Sequence, residues 1–399
     1  MPAGAVSMNH EPTMEFLPEP AFPVAEFEGR LAALNEKILS GGLDAMVIHI
    51  PENINYISGW HTPGYYYPQM LIVKPGSRPI IILRALEALG LPVRSWFRQD
   101  QLMAYHDNES PVGELVEALK RLELTRSRVG LETHGWFFTV DMNRELADRL
   151  PDMQLEPSGW LVESLRQKKS PAEIEQIRRA CRIAEIGIRA GIDNFRAGMT
   201  EAELAGHIHH AMVSSGCEYV GLPIFVMSGH RQLAPHSVWS SEKRIVPGEN
   251  IFLEVAGSVN RYAGALFRTL VVGPPTQRNI ENMAIAEAML DAAMAAIRPG
   301  TTSSCVNQAV KCIADRNGIV LRKRAGYSMG INFAPDWGEG SFLTLQEGDQ
   351  TVLEPGMVFH LPQAVRRAGE PLVASSETVV VTESGCAQLT KFERGLIEV

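Results

Sequence analysis

Three ionisable residues stand in positions where their side chains could do chemistry. Glu254 lies inside the otherwise apolar segment FLEVAG, where a carboxylate costs several kcal/mol unless it is paired. His236 follows a proline, and Glu377 begins the run ETVVVT. Each also has a structural explanation: His236 could be an ordinary loop residue, and Glu377 could point to solvent from an alternating strand.

The histidines and cysteines show no recognisable metal-binding spacing. His207 and His210 share a helix face, which predicts a polar surface because no partner cluster accompanies them. The five cysteines contain no CxxC pair, which predicts reduced and mostly buried thiols. Cys305 and Cys312 are expected on one helix face as two core residues.

The first part of the chain predicts alternating strands and helices. Short apolar runs at 45–50, 71–76 and 78–83 end at turn formers and are interpreted as strands. Helices are predicted at 28–39 and 111–122. This pattern indicates an α/β domain over residues 1–167.

A second domain, residues 168–399, is predicted to begin at a helix start signal. Ser170 and Glu173 form a capping box, and Pro171 occupies the first helical position. Apolar residues then recur every three or four positions, as in a long amphipathic helix. The preceding QKKS is interpreted as an exposed connection.

The second domain contains a short internal repeat. RAGMT (196–200) and RPGTT (298–302) each precede a predicted helix, and the helices end near Gly216 and Gly318. Each is followed by a Pro-Gly turn and an apolar strand, PGENIFLE or PGMVFHLP. Two such units indicate a duplicated α+β fold with pseudo-two-fold symmetry, and a site between the halves would draw on both strands.

Composition limits the class of partner. The chain has 399 residues, 45% of them hydrophobic, which is ample for two packed domains. A net charge of −9 argues against nucleic acid or an anionic membrane as the main partner. No stretch approaches a membrane span, and residues 1–16 do not resemble a signal peptide, so a cytoplasmic location is expected.

Several motifs, in order, resemble the creatinase/methionine aminopeptidase/prolidase family, whose M24 peptidase-like members have the pita-bread fold. LEPGMVF and SSETVVVTESG are the most specific, and ENINYISGW (52–60) resembles the N-terminal domain of the family. The resemblance implies a creatinase-like α/β N-terminal domain and an α+β pita-bread C-terminal domain with an internal pseudo-two-fold repeat.

The metallopeptidases of this family hold two metal ions with five side chains. The equivalent positions are assigned here to Glu254, Ala265, Tyr327, Pro362 and Glu377. Alanine and proline cannot ligate through a side chain, and tyrosine seldom does so for a divalent cation of this kind. The comparison therefore predicts no catalytic metal and no other cofactor.

Within the family, the segment Ala334-Pro335-Asp336-Trp337-Gly338-Glu339 and the pair Phe359-His360 resemble ectoine hydrolases. This implies hydrolysis of a cyclic amidine that carries a carboxylate, namely ectoine or its hydroxylated form, to N-acetyl-diaminobutyrate.

The resemblance implies a role for each site residue. Glu254 and Glu377 would hold the amidinium, with Glu254 either attacking the ring carbon or orienting water, and His236 would carry the proton. The expected pocket residues are Tyr327, His360, Trp337 and Asp336. The candidate partners for the substrate carboxylate are Arg268, Arg324 and Arg366, although Arg268 is also expected in a structural salt bridge.

Two alternatives stay open at this point. One is creatinase or another metal-free C–N hydrolase, and the other is a non-catalytic protein that only binds a ligand in the emptied pocket. The family also implies a homodimer in which the partner's N-terminal domain lies near the site. The aromatic run from Trp60 to Tyr67 is a predicted loop that could close that site.

Overall fold

The computed structural model describes residues 20–321 and 324–399. These residues form two compact units, which divide between Leu161 and Val162. The predicted boundary between residues 167 and 168 lies inside the second unit. The helix Leu161–Arg166 belongs there almost entirely, and its Arg166 pairs with Glu339 of the same unit. Residues 1–16, where no signal peptide was predicted, lie outside the described residues.

The first unit is a six-stranded mixed sheet with helices, in the strand order β4-β3-β2-β1-β5-β6. The strands are β1 Ala45–Ile48, β2 Met70–Val73, β3 Ile80–Arg84, β4 Leu102–Tyr105, β5 Arg128–Leu131 and β6 Gln154–Pro157. The helices are α1 Val24–Ser40, α2 Pro51–Ser58, α3 Ala85–Ala88, α4 Leu91–Arg94, α5 Pro111–Arg121 and α6 Val140–Arg149, with a 3-10 turn at Gln99–Gln101. The α/β interpretation of this half is confirmed.

The second unit is a β-sheet covered by helices, in which seven strands follow the order β15-β14-β13-β10-β9-β8-β7. The helices are α7 Leu161–Arg166, α8 Pro171–Asn194, α9 Glu201–Ser214, α10 Gln277–Ala296 and α11 Ser303–Arg316, with a 3-10 helix at Gly229–Leu233. The strands are β7 Phe225–Ser228, β8 Asn250–Val259, β9 Tyr262–Val271, β10 Gly326–Phe333, β11 Asp336–Gly338, β12 Thr344–Leu345, β13 Val358–Val365, β14 Val373–Val381, β15 Cys386–Gln388 and β16 Leu396–Glu398.

The predicted repeat is present in the helices and strands. α9 and α11 each begin directly after a Gly-containing turn and a capping threonine, Thr200 or Thr302. α8 and α9 share a hydrophobic core with β8 and β9, whereas α10 and α11 share a second one with β13 and β14. The two halves therefore place their strands side by side with helices on one face.

The start of α8 confirms one prediction and corrects another. Ser170 Oγ accepts the N–H of Glu173 at 3.3 Å, and the Glu173 carboxylate accepts the N–H of Ser170 at 2.9 Å. The preceding QKKS is not uniformly exposed: the Lys168 side chain is 60% exposed, but that of Lys169 is only 1% exposed. Lys169 is buried because it pairs with Glu339.

Two glycines allow α8 to approach β8 and β9 closely. A Cβ atom at Gly257 would lie 2.2 Å from the Ala180 carbonyl oxygen, and one at Gly264 would lie 2.5 Å from Cys181 Sγ. Neither contact is sterically possible, so α8 rests on bare backbone.

The cysteine prediction is correct in part. All five thiols are free, and Cys181 is buried. Cys305 and Cys312 do share α11, but both are exposed, so their assignment to the core was wrong. Within the described residues, no helix combines the length and apolar character that crossing a membrane requires.

Candidate active site

Glu254 lies in the middle of β8, on the face of the sheet opposite α8 and α9. Its neighbours Leu253 and Val255 belong to the core beneath those helices, so strand alternation directs Glu254 to the other face. It stands opposite Phe225 of β7 and Phe267 of β9, and it is only 8% exposed. The site is therefore built around a nearly enclosed carboxylate.

A row of hydrogen bonds extends through β10, β13 and β14. His360 Nδ1 lies 2.8 Å from the Tyr327 hydroxyl, and His360 Nε2 lies 2.8 Å from Ser376 Oγ. At one end the Trp337 indole N–H donates to the Tyr327 oxygen at 3.0 Å. At the other, the Phe267 N–H donates to Ser376 Oγ at 2.7 Å. The structure thus joins the predicted Tyr327, His360 and Trp337 in one network.

The electrostatics of Tyr327 connect this network to Glu254. Burial raises the pKa of Tyr327 well above its ordinary value, and the Glu254 carboxylate raises it further. Tyr327 therefore keeps its proton at neutral pH, within the electrostatic reach of Glu254.

Aromatic rings line the space beside the carboxylate. Phe225 lies with its ring centroid 5.9 Å from that of Trp337 and 5.6 Å from that of His236. Phe267 packs edge-on against His360 at 4.7 Å. Rings around one carboxylate favour a flat organic cation, because both the charge and the ring faces attract it.

The Asp336 side chain stabilises the backbone turn that begins at Asp336. Its Oδ1 accepts the N–H groups of Trp337 and Gly338, at 2.7 and 3.2 Å, and burial raises its pKa. A Cβ at position 338 would lie 2.7 Å from the Tyr327 ring, so a glycine there lets the turn pack on the phenol. The structure thus gives Asp336 a local role in placing Trp337, whereas binding of substrate by Asp336 stays a prediction.

His236 is exposed and has a left-handed backbone, with φ of 59°, which is uncommon for a residue other than glycine. It follows the 3-10 helix Gly229–Leu233, which Gln232 anchors to the sheet. Gln232 Nε2 donates to the Asn250 carbonyl at 2.9 Å, and its Oε1 accepts the Leu372 N–H at 3.1 Å. The anchored loop carries His236 to the Phe225 side of the site.

Glu377 does not join the site. Its carboxylate pairs with Arg268 at 3.0 Å and Arg394 at 3.2 Å, and it accepts a hydrogen bond from Thr390. Successive residues of a strand point to opposite faces, so the neighbouring Ser376 is the residue that faces His360. The predicted catalytic role of Glu377 is therefore corrected to that of a buried structural ion pair.

The three candidate arginines differ in position. Arg268 is fully buried and pairs with Glu377, as expected for a structural salt bridge. Arg324 lies over the Tyr327 ring, with its guanidinium carbon 4.6 Å from the ring centroid. Arg366 donates to the carbonyl of Gln232 at 2.9 Å.

Sequence reasoning missed a buried charge cluster beside the site. Glu339, at the end of the Asp336 segment, accepts from Arg166 at 2.8 Å, Lys169 at 2.6 Å and Ser328 at 3.0 Å. Burial raises the pKa of Glu339, but Lys169 and Arg166 outweigh it and hold that pKa below its ordinary value. An apparently exposed lysine followed by a helix cap gave no sign of this cluster.

The side chains present do not fit a dinuclear metal centre. With Ser376 in place of Glu377, the five family positions supply one carboxylate, one phenol, one hydroxyl and two residues without ligating side chains. In the parts of the chain that the structure describes, no group of three or more His, Cys, Asp or Glu side chains is arranged to hold a metal ion.

Two family descriptions match most of the chain. The family described as metallopeptidase family M24 matches residues 175–383, and the creatinase/prolidase N-terminal domain matches residues 30–168.

Individual relatives match over nearly the whole chain. An ectoine hydrolase of Halomonas elongata is 27% identical, covering 94% of this chain and 98% of the relative. A creatinase of a Bacillus species is 26% identical, covering 94% and 93%. The solved structure of the prolidase from Pyrococcus horikoshii OT3 has the same fold, with a TM-score of 0.80 and 23% identity, covering 92% of this chain and all of that one.

Proposed function

Because the chain belongs to metallopeptidase family M24 and carries a creatinase/prolidase N-terminal domain, we propose that it is a hydrolase that opens a cyclic amidine, ectoine, without a metal ion. The observation that carries the proposal is the enclosed carboxylate of Glu254, which lies among aromatic rings at the place where the metallopeptidases hold metal ligands. The relatives of this chain are hydrolases, and one of them is an ectoine hydrolase.

The substrate chemistry matches these side chains. An amidinium is a flat cation with two N–H donors, which a carboxylate accepts as it does those of arginine. Glu254 supplies that carboxylate, and Phe225 and Trp337 supply ring surfaces.

The reaction adds one water to the ring carbon between the two nitrogens. The water oxygen becomes the acetyl oxygen, one C–N bond breaks, and a proton moves to the departing nitrogen. His236 is assigned this proton transfer, because it borders the site through Phe225 and its exposure lets it exchange protons with solvent.

Glu254 can serve in either of two ways. It attacks the ring carbon and forms a covalent intermediate, or it orients the amidinium and water while His236 acts as base. Mass spectrometry of protein quenched during turnover separates these roles, because only the first leaves an adduct on Glu254.

A second candidate substrate is creatine. Its guanidinium is also a flat cation on a molecule with a carboxylate, so Glu254 and the aromatic rings fit it by the same argument, and a creatinase is among the relatives. Hydrolysis of creatine without any of ectoine would select this alternative.

The test is proton NMR of ectoine, and separately of creatine, incubated with chelator-treated protein. We expect ectoine to yield an acetylated diaminobutyrate, and the methyl shift reports which nitrogen keeps the acetyl group. Glu254→Gln should abolish product, whereas Glu354→Gln, which removes an exposed carboxylate, should not. If the wild-type protein bound ectoine but formed no product, the proposed hydrolase activity would be contradicted and a non-catalytic binding protein favoured.

The proposed partner is thus one small zwitterion. The homodimer stays a prediction, and light scattering coupled to size exclusion tests it.

A further inference from the structure

Ser376 determines which ring nitrogen of His360 carries a proton. Ser376 is fully buried, and its Oγ already accepts the Phe267 N–H. Among the described residues, the other hydrogen-bond partner of this hydroxyl is His360 Nε2. The Ser376 proton therefore has an acceptor only when Nε2 is unprotonated.

The other protonation states are unfavourable. A proton on Nε2, in the second neutral tautomer or in the imidazolium, would leave the Ser376 O–H buried and unsatisfied, at the cost of its desolvation. The hydrogen-bond network thus assigns the proton of a neutral His360 to Nδ1.

These hydrogen bonds leave the Tyr327 hydroxyl free to act only as a donor towards a further group. Its oxygen accepts from His360 Nδ1 at 2.8 Å and from the Trp337 indole at 3.0 Å, so both acceptor positions are occupied. The proton of Tyr327 must then be donated elsewhere. His360 and Trp337 are 0% and 1% exposed, whereas Tyr327 retains 8%, so Tyr327 is the most accessible of these three residues.

On the basis of the proposed function, we infer that Tyr327 is a dedicated hydrogen-bond donor that binds the substrate carboxylate, while Glu254 binds the amidinium. An amidinium offers only N–H donors and cannot pair with a donating O–H. A carboxylate offers the acceptor that the Tyr327 O–H needs.

Arg324 supports this orientation of the substrate, with its carboxylate at Tyr327 and its amidinium at Glu254. Its guanidinium carbon lies 4.6 Å from the centroid of the Tyr327 ring, which adds positive charge at the end where the carboxylate is placed. Arg268 pairs with Glu377, and Arg366 interacts electrostatically with Glu254, so Arg324 is the arginine assigned to the substrate carboxylate. The site would select zwitterions and discriminate against the same ring without its carboxylate.

The tautomer is tested first, without any substrate. Nitrogen-15 NMR of histidine-labelled protein, with His360 assigned by comparison with His360→Gln, should show the proton on Nδ1. Ser376→Ala should relax the preference and mix the two tautomers. A wild-type His360 protonated on Nε2 would overturn the inference, whether or not ectoine is the substrate.

The substrate polarity is tested by calorimetric binding of ectoine and of the same ring lacking the carboxylate, to wild-type protein and to Tyr327→Phe. We expect the substitution to weaken ectoine binding by about 10- to 100-fold and that of the decarboxylated ring by less than about twofold. Equal weakening of both ligands would refute the assignment of Tyr327. If the wild-type protein binds neither ligand, the proposed function fails. The His360 tautomer then still decides whether the Tyr327 hydroxyl is a donor.

Discussion

Replacing Glu339 by Gln should strongly destabilise the second unit, because it removes the anionic partner of two buried cations. The Glu339 side chain is 1% exposed, and those of Arg166 and Lys169 are 4% and 1% exposed. Removing one member of such a buried ion pair costs about 3–5 kcal/mol, since the remaining charges stay desolvated. For a unit of this size, that corresponds to a fall in melting temperature of roughly 6–20 °C.

The neighbouring residue provides a matched control. Lys168 pairs with Glu354 at 3.6 Å, but both side chains are more than half exposed. Glu354→Gln should therefore change the free energy of unfolding by less than about 1 kcal/mol. Urea unfolding of both variants, followed by circular dichroism and by tryptophan fluorescence, makes the comparison.

Equal stability of Glu339→Gln and Glu354→Gln would refute the reasoning, because burial would then not set the cost. A destabilised Glu339→Gln should also lose catalytic efficiency, since Glu339 ends the segment that holds Trp337.

Three further predictions follow from the same contacts. Folding lowers the pKa of Glu339, so ionised Glu339 stabilises the protein fully above the unfolded pKa of about 4.5. This stabilisation is lost as the pH falls through the lower folded pKa. Acid unfolding should therefore show this loss of stability in the wild type and not in Glu339→Gln. Glu377→Gln should lower the free energy of unfolding by about 3–5 kcal/mol, because it removes a carboxylate partner of the buried Arg268, but the folded fraction should stay nearly fully active. Glu254→Gln should lower activity by about 100-fold or more at an unchanged melting temperature. Loss of activity without loss of stability in Glu377→Gln would contradict its structural role. Gly257→Ala should destabilise by about 1–3 kcal/mol in urea unfolding, because its Cβ would overlap the Ala180 carbonyl, and a neutral result would contradict that packing.

Local signals in the sequence predicted the elements of the fold well. The capping box at Ser170 and the Gly-containing turns before α9 and α11 involve only a few neighbouring residues, so their effect is visible in the sequence. The position of Glu254 was also predictable, because a carboxylate within a long apolar strand is unusual.

The errors arose where a long-range contact decides the outcome. Glu377 and Ser376 are adjacent, and a one-residue shift along a strand moves a side chain to the opposite face. Lys169 seemed exposed because its partner Glu339 is far away in the sequence. Ser376 was overlooked because a serine in a strand has no chemical signature until His360 is placed beside it.

The most direct test of metal-free hydrolysis is to measure metal content and ectoine turnover on the same purified sample. Mass spectrometric metal analysis after chelator treatment should find far less than one ion per chain, with the rate of acetyl-diaminobutyrate formation unchanged from that of untreated protein. A rate that falls with the metal content and returns in proportion to added ion would contradict the account.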